Sequence, residues 1–433
     1  MLDSADSVKN KTVFQQKIVL WAGFVGGVVI KLFMLSYEGI FDMDSYYAWG
    51  NKALEEGLYN AFHGIYFPFQ YNIFQGLAWI VKTTNLNFTI VFKMSNLLFD
   101  VGSFFLLIKI LSNLKINPLL SLIYWLHPWF LMVFSQGYID FHFAFFVLLT
   151  ISFLLEGKEL KRYVKAGIAF GFAFLMKPQA QILIVVIFFY TVLKFIRERE
   201  IKPFSIFIGS VALFMGYMSY FVLHSKSIFM LPFHYLNVAN MMPCLTAHMP
   251  NIWYPVAYFL KEQNAQIYSV SDKIHLLPFL SCRSFAIVLS LVLCGVLVNR
   301  IYSRNIGKSE GKRLLYCMTI GAVILPFTMT SAHENHLFLG TILLISLMGK
   351  MSNAFFSFTV HAMLAIQFIN LTFIYGTSQV SKFFRAYYTY DIRFAVSLFS
   401  IATFISFLYF MFKFTASSKI ISPIMFNKDG NIQ

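Results

Sequence analysis

The chain has 433 residues, of which 58% are hydrophobic, 19% aromatic and only 12% charged, with a mean hydropathy of +0.67. Soluble domains carry about 25% charged residues, so this chain lacks the polar material to cover a water-facing surface, and its solvent is lipid. On a soluble protein a net charge of +15 would point to nucleic acid; in a membrane chain it reads first as topology, and no nucleic-acid partner is expected.

Apolar runs set the expected elements. Twelve transmembrane helices are predicted, near 18–37, 88–110, 119–134, 139–155, 164–176, 179–196, 204–223, 284–299, 314–330, 335–349, 354–375 and 392–413. The fold class is therefore an all-α polytopic membrane protein, a single domain over 1–433. Runs 119–134, 139–155, 164–176 and 335–349 hold about 13 to 17 residues, short of the roughly 20 that cross a bilayer, which suggests a thinned recess or pairs reaching part way. The first run lacks a small-residue cleavage site and reads as a retained anchor.

The segment 38–87 that follows opens with Asp42-Met43-Asp44. A carboxylate just above a membrane helix suits a general base, and the close pair leaves a divalent cation open; an ordinary acidic loop is the bland alternative. Tyr46 to Leu58 reads as an amphipathic helix carrying Trp49, and Phe67 to Lys82 as an interfacial one. In the next span Lys93 and Asp100 are two turns apart on one face. They are expected as a structural polar pair, unless Asp100 contacts another helix. Asp140 and His142 then open an apolar run, and Asp140 fits a helix cap or a binding role equally.

Lys177-Pro178-Gln179 lies between two apolar runs, where the lysine either holds a lipid phosphate or snorkels. Segment 224–283 is long, aromatic and proline-rich, and holds His248, Asn251 and Trp253; long ordered loops are usually functional. It also holds Cys244 and Cys282, which leaves a disulfide open. His333-Glu334-Asn335-His336 puts two imidazoles on one face if helical. The spacing of zinc proteases is absent, and hydrogen bonding to a phosphate or sugar fits better than a metal. No Walker, Gly-rich or GxSxG motif occurs.

Basic residues orient these spans. With the N-terminus inside, 22 of the 34 Lys and Arg residues fall on the inner segments, giving those segments a net +14 and the outer ones zero. This bias predicts two cytoplasmic termini and contacts with anionic lipid. It also puts Asp42, Asp140, Lys177, His248, Asn251, His333, Glu334 and His336 on the outer face. Charge near membrane depth usually lines a functional cavity; one face argues for one extracytoplasmic site.

In chain order these segments resemble the GT-C superfamily of membrane glycosyltransferases, in its bacterial and archaeal branch similar to GPI mannosyltransferases. The acidic DM-x-x-(F/Y)-x-x-W segment is matched by Asp42-Met43-Asp44-Ser45-Tyr46-Tyr47-Ala48-Trp49, and the K-x6-D helix by Lys93 to Asp100. The (N/H)P…GQxD segment is matched by His127-Pro128 and Gly137-Tyr138-Ile139-Asp140, with Tyr138 in place of Gln, and KPQ by Lys177-Pro178-Gln179. The loop motif is matched by Thr246-Ala247-His248-Met249-Pro250-Asn251-Ile252-Trp253. HERYLFP is matched by His333 to Leu339, with Asn335 replacing Arg and Leu339 replacing Pro. The likeness covers residues 40–345.

The resemblance implies an inverting transfer of a hexose, mannose by family precedent, from a polyprenyl-phosphate sugar donor to a hydroxyl on a glycan or lipid-linked acceptor. It implies Asp42 as general base with Asp44 as the alternative, and Lys177, Gln179, His333 and His336 around the donor phosphate. Trp49, Asp140, His142, His248, Asn251, Trp253 and Glu334 would bind substrate. With the family's Arg replaced, His336 or Lys177 would have to supply the cation. No cofactor is assigned, and a divalent cation stays open. The implied location is a bacterial inner membrane, or the endoplasmic reticulum in a eukaryote. The alternative is a transporter or flippase for a lipid-linked sugar, which would spread polar residues on both sides of the midplane.

Overall fold

The computed structural model describes the chain except residues 1, 40–41, 63–65, 226–239, 263–264, 305, 307–309, 352, 376–388 and 417–433. Part of segment 224–283 and the basic residues Lys308, Lys419 and Lys428 lie outside the described residues.

The chain is an all-α membrane protein. Every predicted apolar run lies on helix, but among the described residues seven helices are long and apolar enough to cross a membrane, or eight counting one bent pair. Twelve full spans are therefore not supported by length. The seven run as α1 (Leu2–Phe33), α5 (Phe88–Asn113), α10 (Pro178–Glu198), α11 (Phe204–Ser225), α13 (Cys282–Ser303), α16 (Ala354–Tyr375) and α17 (Thr389–Ala416). The bent pair is α6 (Ser121–Leu126) and α7 (Pro128–Gln136), which meet at 48°. Pro128 is the cause: it forces His127 into extended backbone and starts a new helix. Shorter helices α8 (Asp140–Leu155), α9 (Leu160–Phe174), α14 (Glu310–Thr328) and α15 (Phe338–Met351) pack among the long ones.

Three helices precede α5 outside the long spans: α2 (Asp42–Glu56), α3 (Leu58–Ala61) and α4 (Pro68–Thr84). Helix α2 turns Met43, Tyr46, Gly50 and Ala53 inward at helical spacing, and Tyr46 stacks on Phe74 of α4 at 4.8 Å. Helix α4 is fastened to the bundle through backbone: Phe67 N–H donates to Met176 O (3.2 Å) and Phe69 N–H to Leu175 O (3.1 Å). Thus the start of α4 and the Lys177 turn are joined by their main chains. Close approach elsewhere uses small residues: a Cβ on Gly167 of α9 would lie 2.8 Å from Ser205 O of α11.

Among the described residues, segment 224–283 contributes α12 (Trp253–Leu260) and a two-stranded hairpin, β1 (His275–Leu277) with β2 (Leu280–Ser281). Its anchor is Asp272, fully buried, which takes two hydrogen bonds from the Arg283 guanidinium (2.7 and 2.9 Å) and one from Thr330 Oγ1 (3.0 Å). Cys244 and Cys282 are buried free thiols, so the disulfide is not formed.

The Lys93–Asp100 pair is corrected. Asp100 of α5 binds Lys31 of α1 at 2.7 Å and accepts the Tyr124 hydroxyl of α6. Lys93 instead donates to Met34 O (3.2 Å) and to Tyr37 O. Two turns of helix hold the side chains too far apart to meet, so each takes a partner from the neighbouring α1 region. Lys93 thereby fixes the turn that leads to Asp42.

Candidate functional site

Asp42 and Asp44 occupy the first turn of α2, where carboxylates complement the helix dipole. Between them Met43 is driven inward against Gly137, whose φ is +76°. A Cβ there would stand 2.8 Å from Met43 Sδ. Glycine thus serves twice: it ends α7 in the left-handed conformation, and it makes room for the residue between the two acids. Asp42 is half-buried and Asp44 exposed. Asp44 lines a separate groove of about 330 Å³ with Tyr47, Asn87 and Thr89.

Asp42 does not stand alone. Burial, then the Glu334 carboxylate, push its carboxyl above the usual range, against a Tyr46 hydrogen bond and the Lys177 charge. Glu334 is itself buried; it accepts from the Tyr138 hydroxyl and from Tyr375 Oη at 2.7 Å. Its second oxygen, Oε2, is buried with no hydrogen-bond partner. Burial opposes ionisation of Glu334, but His333, His248 and the two tyrosines outweigh it and hold its carboxyl below the usual range. Tyr138, standing where the resembled family has Gln, is thus used on this carboxylate.

Lys177 and Asp140 form a buried ion pair at 2.7 Å, and Asn335 Nδ2 donates to the other Asp140 oxygen at 2.6 Å. Both oxygens of Asp140 are therefore engaged, and it makes no cap hydrogen bond to α8. Of its two expected roles, the helix cap is thus not the one it takes. Lys177 likewise has its charge met inside the protein, and Asn335 serves as the donor that bridges to Asp140. Gln179 Oε1 is buried beside this turn with no hydrogen-bond partner.

The histidines are held neutral. His333 and His336 rings lie 5.1 Å apart, and His336 Nδ1 accepts the His333 N–H at 3.2 Å. Burial is the main cause of the downward shift of both, reinforced by Lys177; His333 also depresses His336, while Glu334 opposes the shift of His333. Of the two residues expected to supply the missing cation, His336 has its pKa pushed down and Lys177 is paired with Asp140. Among the described residues no group of three His, Cys, Asp or Glu side chains is placed to hold a metal ion.

His248 has φ +72°, and bridges between Ala247, His248 and His333 carry its loop along the 331–336 turn. Its pKa is pushed down to about 4 by burial and by Arg393. Arg393 of α17 is buried; it donates to His248 O (3.0 Å), to His248 Nδ1 (3.1 Å) and, through Nε, to Asn370 Oδ1 (3.2 Å). The sequence reading passed over it. Its signal was the one that marked Lys177, a cation at the head of an apolar run.

Four expected binding residues make contacts inside the protein. Asn251 donates to Pro326 O (3.2 Å) and Met329 O (3.1 Å), and its Oδ1 accepts the Trp253 N–H. The Trp253 indole donates to Thr328 O at 2.7 Å. Both close the exposed carbonyls at the end of α14, where Pro326 interrupts the helix. His142 is fully buried away from the cluster, between Gln70 and Ser95 at 3.3 Å each and 4.4 Å from the Phe99 ring. Trp49 packs within 6.2 Å of Tyr46, Tyr66, Tyr71 and Phe74.

What remains is a cluster of Asp42, Glu334, His333, His248, Arg393 and the Lys177–Asp140–Asn335 unit, drawn from six separated segments. The chain matches no protein-family model and no curated protein.

Proposed function

We propose that this protein is an inverting glycosyltransferase that uses a polyprenyl-phosphate hexose and acts at the extracytoplasmic face of a membrane. The observation that carries the reading is the environment of Asp42: a half-buried carboxylate of raised pKa, beside an under-coordinated Glu334 and neutral imidazoles, at the end of a lipid-suited bundle. A raised pKa strengthens a carboxylate as a base. Neutral His333 and His336 suit hydrogen bonding to sugar hydroxyls. The asymmetry of basic residues supports cytoplasmic termini and an outward site.

In the proposed reaction Asp42 takes the proton of the acceptor hydroxyl as its oxygen bonds to the anomeric carbon. The bond from that carbon to the phosphate oxygen breaks, and polyprenyl phosphate leaves with the electron pair. A phosphate leaves without being protonated, so the paired carboxylates of glycosidases are not needed. The hexose is mannose by the precedent of the resembled family, the acceptor is a glycan or lipid-linked hydroxyl, and Asp44, exposed on the next groove, is the reserve base.

The test is release of lipid phosphate by detergent-purified protein given a polyprenyl-phosphate hexose and candidate acceptors. Asp42→Asn should reduce turnover by about 100-fold or more with folding unchanged. Full turnover by that variant would rule Asp42 out. Flux of the lipid-linked sugar across liposomes without glycosyl transfer would instead indicate a transporter.

A further inference from the structure

Three buried cations approach the cluster, and their charges are met differently. Lys177 has Asp140 at 2.7 Å. Lys93 donates to the carbonyls of Met34 and Tyr37, and a lysine in such a place can shed its proton. Arg393 cannot, because guanidinium stays charged in proteins. It is only 4% exposed, and all its hydrogen-bond acceptors are neutral: the His248 carbonyl, His248 Nδ1 and Asn370 Oδ1. Among the described residues no carboxylate forms an ion pair with it. The Tyr254 ring, 5.3 Å away, offers a weak π-face contact.

A buried charge without a counter-ion is costly, and more so beside lipid. The guanidinium has five N–H donors. Three are engaged in the hydrogen bonds to His248 and Asn370, which leaves one on each terminal nitrogen. Two donors on adjacent nitrogens match a pair of phosphate oxygens. The arginine also sits on the loop that bears His248, which runs beside His333 and Glu334.

We propose that Arg393 is a phosphate-binding residue of this site, its two remaining N–H groups directed at the phosphate monoester of a polyprenyl phosphate. The proposal rests on the transferase reading for the identity of the lipid but not for the presence of an anion site. It explains why the 331–336 turn can carry Asn335 where the resembled family has arginine: the cation comes from α17, and the residue at 335 is free to hold Asp140. Asn370 and the positive-φ carbonyl of His248 orient the guanidinium plane.

The experiment is binding of polyprenyl phosphate, with the uncharged polyprenol as control, to full-length protein in detergent. Wild type should bind the phosphate at least about tenfold more tightly than the alcohol, the range of a charge-assisted contact. Arg393→Gln should remove that preference and leave polyprenol binding unchanged. Should that variant fail to fold, Asn370→Asp keeps Arg393 and gives it an internal carboxylate; it should lower phosphate affinity by a similar factor. Undiminished phosphate preference in a folded Arg393→Gln protein, or in Asn370→Asp with Arg393→Gln unfolded, overturns the proposal. So does a wild type that does not distinguish phosphate from alcohol. Phosphate preference that depends on Arg393, without any hexose transfer, would uphold the anion site and refute the transferase.

Discussion

The Lys177–Asp140 pair separates two roles for Lys177. Both side chains are about 5% exposed and lie 2.7 Å apart, and Asn335 is the other donor to Asp140, at 2.6 Å. Lys177→Met would leave a buried carboxylate supported by one amide, a loss of roughly 3–5 kcal/mol. Asp140→Asn would leave a buried ammonium facing a neutral amide; it should cost less, because lysine can release its proton. The double variant removes both charges and should recover most of the loss, giving a coupling energy of about 2–3 kcal/mol. Unfolding in mixed micelles titrated with SDS, for all four proteins, measures the cycle. If Lys177→Met were as stable as wild type and lost only donor affinity, the ammonium would belong to the ligand and the internal pair would be refuted.

Burial and Glu334 raise the Asp42 pKa, so kcat/KM should rise with pH through an acid limb above the ordinary carboxylate range. Glu334→Gln removes one cause and should move that limb to lower pH; an unmoved limb would show that Glu334 does not act on Asp42. Since His248, His333 and His336 are held neutral by burial, no further limb should appear near 6.5. Gly137→Ala meets both a left-handed backbone and Met43 Sδ at 2.8 Å; the strained backbone costs about 1–2 kcal/mol, and turnover should fall by more than stability, as the Asp42 turn shifts. Lys31→Met strands Asp100, which is fully buried with Lys31 at 2.7 Å, and should destabilise by roughly 3–5 kcal/mol in the same micelle titration, with Asp100→Asn added in cis restoring much of it.

Helix positions were legible because apolar runs in a chain this hydrophobic have few alternatives: each run became helix within a few residues. The number of crossings was not. Pro128 splits one run, and Asp140–Leu155 and Phe338–Met351 are shorter than a span, so length fails where helices are sheltered by neighbours. Among site residues the reading found Asp42, Lys177, His333 and Glu334 because charge in an apolar chain is conspicuous. The fold gives two of them partners of its own, Asp140 for Lys177 and the Tyr138 and Tyr375 hydroxyls for Glu334. Partner choice depends on which helices touch, and sequence spacing carries none of that; hence Asp100 met Lys31 rather than Lys93. Asn251 and Trp253 looked like binders because polar groups in a long loop suggest contact with substrate. Their polar atoms bond to carbonyls left open where another helix ends, at Pro326, Thr328 and Met329. Tyr375, at the end of an apolar run, gave no signal at all.

The cluster is held less by side chains than by main chain. The turn before Lys177 is bonded to α4 through Met176 O and Leu175 O. The His248 loop is bonded to the 331–336 turn through Ala247 N to Ala332 O (2.9 Å) and Ser331 N to Cys244 O (2.9 Å). Lys93 fixes the turn before Asp42 through two carbonyls. Backbone groups at a membrane surface must be satisfied, and here their mutual satisfaction also sets the spacing of the reactive side chains. Geometry and chemistry therefore rest on different residues. Replacing Asp42 or Glu334 should alter rate or its pH dependence in a molecule that still folds. Replacing Asn251 or Trp253, whose bonds are to backbone, should disturb the position of every group on the 331–336 turn while touching no substrate.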